Sequence, residues 1–208
     1  MSATAGPQFQ LVRGVLAVGA LGVAALAYAG LYEANAYRLR RVTLPILPEG
    51  AGPIRVLQIS DLHMTPSTRA RQAWVSRLAA LEPDLVVNTG DNLAHDDAVP
   101  FVVRSLGRLL DVPGVFVWGS NDYFAPTFKN PLRYLTAAGR ITRPKQHKLP
   151  WEDLGRAFTE RGWVDLTHER ALLEVCGVRL GFRGTDDAHL GHDHYSEVAG
   201  RSTGSWST

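Results

Sequence analysis

Three short polar segments, each placed directly after an apolar run, constrain this chain more than any other feature. Asp61-Leu62-His63 follows residues 54–60, Gly90-Asp91-Asn92 follows residues 85–89, and Gly119-Ser120-Asn121-Asp122 follows residues 115–118. Asp61, Asp91 and Asn121 are spaced 30 residues apart. That interval accommodates one strand, one helix and the next parallel strand. Two such units deliver carboxylate, imidazole and amide groups to the carboxyl ends of neighbouring strands, the edge at which open α/β sheets bind ligands. The fold class expected is therefore α/β.

The residues between the segments support this. Ser67 or Thr68 can cap a helix whose apolar positions Trp74, Val75, Leu78 and Leu81 share one face, and Glu82-Pro83 ends it. Leu85, Val86 and Val87 read as a strand that is apolar on both faces, as a buried parallel strand should be. Val99, Val102, Val103, Leu106 and Leu110 form the next helical stripe, and Pro113-Gly114 turns the chain into a third strand. These stripes are core positions. Beyond Asp122 the pattern changes. Residues 123–151 contain no Asp or Glu but hold Lys129, Arg133, Arg140, Arg143, Lys145, His147 and Lys148 together with four prolines. This basic segment reads either as a solvated loop or as a lid that attracts phosphate or lipid headgroups. Trp151, Leu154 and Phe158 suggest a short helix, and residues 172–175 and 178–182 flank Cys176-Gly177 as a hairpin.

Near the amino terminus, residues 14–32 form 19 positions without a charge, with Arg13 before them and Arg38, Arg40 and Arg41 after. At about 1.5 Å rise per residue such a helix is just long enough to cross a bilayer. A single-pass anchor is expected. Ala27-Tyr28-Ala29 leaves a cleaved signal peptide as the alternative. The later arginines favour a cytoplasmic domain whereas a signal favours export, so the membrane face stays open. The divisions expected are a tail over 1–13, a transmembrane or signal-anchor helix over 14–32, a Pro- and Gly-containing linker over 33–53, a catalytic-type domain over 54–199, and a disordered tail over 200–208.

The net charge of +2 gives no nucleic-acid footprint, and no nucleic-acid partner is expected. Arg outnumbers Lys by 19 to 3, which looks like codon bias rather than a binding surface. Cys176 is the single cysteine, so neither an intrachain disulfide nor a cysteine-rich zinc site can form.

An Asp and a His one residue apart can reach one metal ion where a chain leaves a strand, and a carboxylate at the next strand end can bridge to a second ion. Two ions held about 3.5–4 Å apart activate water and clamp the oxygens of an in-line displacement at phosphorus. Carboxylate, imidazole and amide ligands together suit Mn, Fe or Zn. Each motif alone is weak; their order, spacing and position after apolar strands carry the signal.

With these segments the chain resembles the calcineurin-like metallophosphoesterases, whose pattern runs D-x-H, G-D-x-x, G-N-H-[DE] and a late G-H-x-H. The hydrophobic N-terminal segment is similar to that of the membrane-anchored bacterial YkuE/YaeI-like branch. The resemblance implies a four-layer α/β/β/α sandwich, expected here in incomplete form, and two divalent metal ions as cofactors. It implies Asp61 and His63 at the first metal and Asp91 as the bridge; a small backbone adjustment would let Asn121 supply the amide oxygen, and Asn121 is expected as a further ligand. Asn92, Lys129 and Arg133 are further positions expected to meet a phosphoester substrate.

Two departures stand out. The third segment reads G-S-N-D, so Ser120 occupies the place of the family's metal-binding Asn and Asn121 that of the His that assists catalysis. Ser120 is a poorer ligand, and an amide cannot act as a general acid near neutral pH. Gly191-His192-Asp193-His194 looks like the late G-H-x-H, which makes His192 and His194 further metal candidates. However, no apolar strand precedes it and only 14 residues follow, so a coincidental match and a truncated chain are the expectation. His95 is expected on the loop surface.

The function expected is hydrolysis of a phosphoester by hydroxide activated at a dinuclear metal site, a hydrolase acting on ester bonds if the site is complete. The alternatives are a truncated or inactive relative, and a membrane-tethered phosphate- or headgroup-binding module.

Overall fold

The computed structural model describes residues 7–32, 35–126 and 147–200. The chain divides into two units, Met1–Leu44 and Pro45–Thr208. The first holds α1 (Pro7–Ala27), which continues as a π-helical turn over Tyr28–Tyr32. The helix thus starts earlier than the uncharged stretch suggests, because Arg13 is tolerated within it. Arg13–Gly30 is long and apolar enough to cross a membrane by length and composition, a test that a signal sequence also passes.

The second unit is built on strands β1 (Val56–Ile59), β2 (Leu85–Asn88), β3 (Gly114–Phe116) and β4 (Val164–Asp165). They pair in parallel in the order β1-β2-β3-β4. Sequential order of parallel strands requires a crossover between each pair, and right-handed crossovers put the intervening helices on one face. Those helices are α2 (Arg69–Arg77), α3 (Val99–Leu106) and α5 (Trp151–Thr159), packed as neighbours α2 to α3 and α3 to α5. α4 (Ser120–Tyr123) is a single turn after β3.

The apolar stripes read from the sequence supply the core. Val75 and Leu78 are buried behind α2, and Val102, Leu106 and Leu110 behind α3. Leu154 and Phe158 of α5 are fully buried, and Phe158 meets Phe116 edge-on at 5.2 Å. Truncating such a ring typically costs about 3–5 kcal/mol. Thr68 stands at the start of α2 as expected, but its hydroxyl does not cap the helix; it donates to the Thr65 carbonyl instead. Glu82 closes the segment after α2 in a left-handed conformation just before Pro83.

β4 was not legible as a strand. It is two residues long and is held by its ladder to β3 and by the buried Trp163 before it, whose indole N–H donates to the Val112 carbonyl at 3.0 Å. β5 (Arg170–Val175) and β6 (Val178–Arg183) form the expected hairpin. Cys176 and Gly177 both have positive φ, the backbone of a two-residue turn matched to strand twist. Among the described residues the sheets are this hairpin and the four-stranded parallel sheet. The mixed α/β class with a parallel sheet is as expected from the sequence.

Candidate metal centre

The first two polar segments do not simply end their strands; they extend the β1–β2 pairing as an irregular ladder. Asp61 N–H donates to the Gly90 carbonyl at 3.0 Å, His63 N–H to Asp91 at 2.9 Å, and Met64 N–H to Asn92 at 2.8 Å. Ala94 N–H returns to the Met64 carbonyl at 3.0 Å. Within this ladder Asp61, His63 and Asp91 have φ of 56°, 38° and 57°. Left-handed backbone costs a non-glycine residue on the order of 1 kcal/mol or more, and such costs concentrate at functional sites. Here the hydrogen bonds between the two loops hold it.

The result is convergence of side chains. Asp61, His63 and Asp91 each present a ligand atom, and the three atoms lie within 4.8 Å of one another. His63 Nε2 is 3.7 Å from Asp61 Oδ1 and 4.0 Å from Asp91 Oδ2. Two carboxylates this close repel unless a cation sits between them, so the donor set fits a divalent ion. Asp61 and Asp91 line a depression of about 610 Å³ together with Thr89, Ser120, Asn121, Asp187 and His189.

The third segment reaches the same place from β3. Asn121 donates twice to Asp91, from its backbone N–H to Oδ1 and from its amide Nδ2 to Oδ2, both at 2.8 Å. Gly90 and Gly119 permit the approach. A Cβ on Gly119 would stand 2.2 Å from Asp91 Oδ1, and one on Gly90, whose φ is +87°, would stand 2.4 Å from the Gly119 nitrogen.

Asp122 organises this junction through its side chain. Its buried carboxylate accepts from Asp91 N at 2.7 Å, Asn92 N at 2.7 Å, Leu93 N at 3.1 Å and Gly119 N at 3.1 Å. Burial pushes its pKa up to about 6, while the backbone N–H groups of Gly119, Asn92, Leu93 and Asp91 pull it down. The G-D-N loop is thus hung on one carboxylate from the third segment. Sequence reasoning missed this role; the only trace was an Asp placed 31 residues after Asp91, next to the noted Asn.

Asp187, His189 and Leu190, from residues 186–190, form another wall of the depression. Asp187 Oδ2 accepts from Ser120 N at 2.9 Å, and Asp186 accepts the Tyr123 hydroxyl at 2.9 Å. Burial and then this bond to Asp186 push the Tyr123 hydroxyl well above its ordinary pKa, so it stays a proton donor to Asp186. His189 stands on the rim, 3.8 Å from Asp187.

The remaining candidates are distributed as follows. Ser120 lines the depression, and its backbone N–H is committed to Asp187. The Asn92 side chain is buried and paired with Asn88, with Asn88 Nδ2 to Asn92 Oδ1 at 2.7 Å, so it faces the scaffold and not the depression. His192 lies 3.5 Å from Asp186, and His194 lies 3.3 Å from Glu197. Neither joins the Asp61–His63–Asp91 cluster. His95 is on the surface, where its ring accepts from Asp97 N. Lys129, Arg133 and most of the basic segment, as well as residues 201–208, lie outside the described residues.

A family model for the calcineurin-like phosphoesterases matches residues 54–200. The chain belongs to that family. The chain is also similar to a protein of Bacillus subtilis (strain 168) named only as uncharacterized protein YpbG. The two are 28% identical over 168 residues, which is 79% of this chain and 54% of the relative. The chain therefore spans about half the length of the curated relative it matches. The matched span contains all three polar segments and the 186–190 wall, so the family match and the converging geometry concern the same residues.

Proposed function

We propose that this phosphoesterase hydrolyses a phosphoester with divalent metal held by Asp61, His63, Asp91 and Asn121. Asp61, His63 and Asp91 would hold one ion, and Asp91 with the Asn121 amide oxygen would contribute to a second. The observation that carries this reading is the set of three ligand atoms within 4.8 Å, set on left-handed backbone at the ends of β1 and β2. Ions bound there would lower the pKa of water and neutralise charge on phosphoryl oxygens.

The chain's own residues do the rest. The backbone N–H of Asn121 fixes the orientation of the Asp91 carboxylate independently of the amide side chain. Asp187 holds the Ser120 backbone and so shapes the floor against which a phosphoryl group would rest. The leaving-group oxygen needs a proton, which Asn121 cannot supply. His189 stands on the rim of the same depression, and an imidazole is the side chain best suited to hand on a proton near neutral pH. We assign that role to His189.

The N-terminal α1 is read as a membrane span. Full-length protein should stay in the membrane fraction after carbonate extraction, and its release as a soluble form cleaved near Ala29 would assign α1 to a signal instead.

The central test is hydrolysis of bis(p-nitrophenyl) phosphate and p-nitrophenyl phosphate by the full chain with Mn²⁺, with and without EDTA, beside Asp91→Asn. Turnover that requires metal and is lost in Asp91→Asn supports the proposal. Metal binding with no turnover on either ester points to the second reading, an inactive relative, which the substitution of Asn121 for a proton-donating side chain favours.

A further inference from the structure

A second group of ligand-type side chains lies apart from the candidate metal centre. His168, in the turn between β4 and β5, meets His194 and Glu197 at the start of the short α6 (Tyr195–Val198). Each offers one ligand atom, and the three lie within 4.8 Å of one another. The two imidazole rings are stacked, with centroids 5.0 Å apart and planes 22° from parallel. His194 Nδ1 is 3.3 Å from Glu197 Oε1.

We infer that His168, His194 and Glu197 form a separate binding site for a borderline divalent transition metal such as Zn²⁺. Three observations carry this beyond a surface ion pair. First, His168 Nδ1 is shut off from solvent and has no hydrogen-bond partner among the described residues. A ring nitrogen in that state is costly unless a proton donor or a cation engages it. Second, His168 sits at φ 56°, a left-handed conformation that brings its ring against His194. Third, the segment that carries the other two ligands is tied down on its far side. Arg170 donates to the Ala199 carbonyl, Arg183 donates to the Gly200 carbonyl, and Val198 is buried. The ligands are therefore presented from two elements held in fixed relation, which is what a metal site needs.

The donor set selects the class of ion. Two imidazoles and one carboxylate suit Zn²⁺, Co²⁺ or Ni²⁺ and disfavour Mg²⁺ and Ca²⁺, which prefer oxygen. His194 and Glu197 side chains are more than half exposed, which leaves room for water or an exchangeable ligand at the remaining positions. Bound metal would clip α6 to the β4–β5 turn. The same stretch of chain contains His189 and Leu190 on the rim of the candidate centre, so the clip would also fix that wall.

The test uses the full chain in detergent with Asp61→Ala and Asp91→Ala together, which removes the candidate centre from the count. Calorimetric titration with Zn²⁺ should show one equivalent bound, and Co²⁺ should give a d–d absorption band of matching stoichiometry. Adding His194→Ala, at an exposed position and with the fold checked by circular dichroism, should abolish both. Glu197→Gln should weaken binding without abolishing it, and Zn²⁺ should raise the thermal midpoint only where His194 and His168 are present. No Zn²⁺ uptake in the Asp61→Ala/Asp91→Ala protein would overturn the inference. So would an equivalent that persists unchanged in both His194→Ala and His168→Ala. Neither outcome depends on whether the protein turns over a phosphoester.

Discussion

Asp122→Asn is the sharpest test of how the centre is held. The carboxylate serves four backbone donors in two pairs: Oδ2 accepts from Asp91 and Gly119, and Oδ1 accepts from Asn92 and Leu93. An asparagine keeps the shape but replaces one oxygen by NH₂, so two of the four N–H groups face a donor. Each buried donor left without an acceptor costs about 1–3 kcal/mol. The substitution should therefore destabilise the fold by at least ~2 kcal/mol at neutral pH. Asp122→Ala strips all four and should exceed ~4 kcal/mol, which is the range of exceptional single substitutions. With a urea m-value of about 1–3 kcal/mol/M, the asparagine variant should lower the unfolding midpoint by roughly 1 M. Tryptophan fluorescence can follow the transition, because Trp118 and Trp163 are buried in this unit. The same variant should weaken Mn²⁺ binding, since the Asp91 backbone loses its anchor. A midpoint within about 0.2 M of wild type would refute the claim that Asp122 suspends the G-D-N loop, because surface-like substitutions stay within about 0.5 kcal/mol.

Four further outcomes are expected. Burial raises the Asp122 pKa from 3.8 to about 6, so the folded state binds this proton more tightly than the unfolded chain. The stability Asp122 adds by that route is full below about pH 4 and lost as pH rises through about 6, and urea melts at pH 4.5, 5.5 and 7 should show the gap to Asp122→Asn narrowing in that direction. Asp91→Asn should remove most Mn²⁺ binding at the centre, read by metal content after gel filtration; unchanged stoichiometry would sink the bridging assignment. Gly119→Ala forces a methyl group to within 2.2 Å of Asp91 Oδ1 and should cost metal affinity before it costs secondary structure, seen as weakened Mn²⁺ titration with an unaltered circular dichroism spectrum. His189→Ala should lower kcat by about 10²-fold or more for an ester with a poor leaving group and far less for a p-nitrophenyl ester, the signature of a lost general acid; equal losses on both would assign His189 to binding only.

Much of the parallel sheet was legible because its signals are local. Leu85-Val86-Val87 and the Val99–Leu110 stripe declare period and burial within a few residues, and both took the expected form. Asp61, His63 and Asp91 were legible as a group because strand ends repeat at a fixed interval, so position in sequence translates into position on one edge. The parts that could not be read depend on contacts across the chain. β4 is two residues long and exists through its ladder to β3 and the packing of Trp163. Asp122 bonds N–H groups 29–31 residues before it, and no local pattern marks a carboxylate as the acceptor for a distant loop. Asp187 meets Ser120 across 67 residues. Asn92 shows the converse error: it was expected to meet the substrate, yet its side chain turns inward to Asn88.

The third segment separates two demands that a motif usually presents together. Asn121 orients Asp91 through its backbone N–H, a contact that any residue but proline would make. Asp122 holds the loop through its side chain, a contact that needs two acceptor oxygens on one side chain. Where this chain departs from the G-N-H-[DE] pattern, at Ser120 and Asn121, the scaffold tolerates the change; where it conforms, at Asp122, the scaffold does not. Selection for folding alone would thus preserve the acidic residue and the glycine while leaving the two positions between them free to change. It follows that metal binding and turnover are separable in this protein. A folded chain with an intact Asp61–His63–Asp91 cluster keeps the ligand set for the first and leaves the second to whatever side chain donates the proton. The decisive comparison is therefore between kcat on poor and good leaving groups at saturating metal, because only that ratio reports on proton donation to the leaving group.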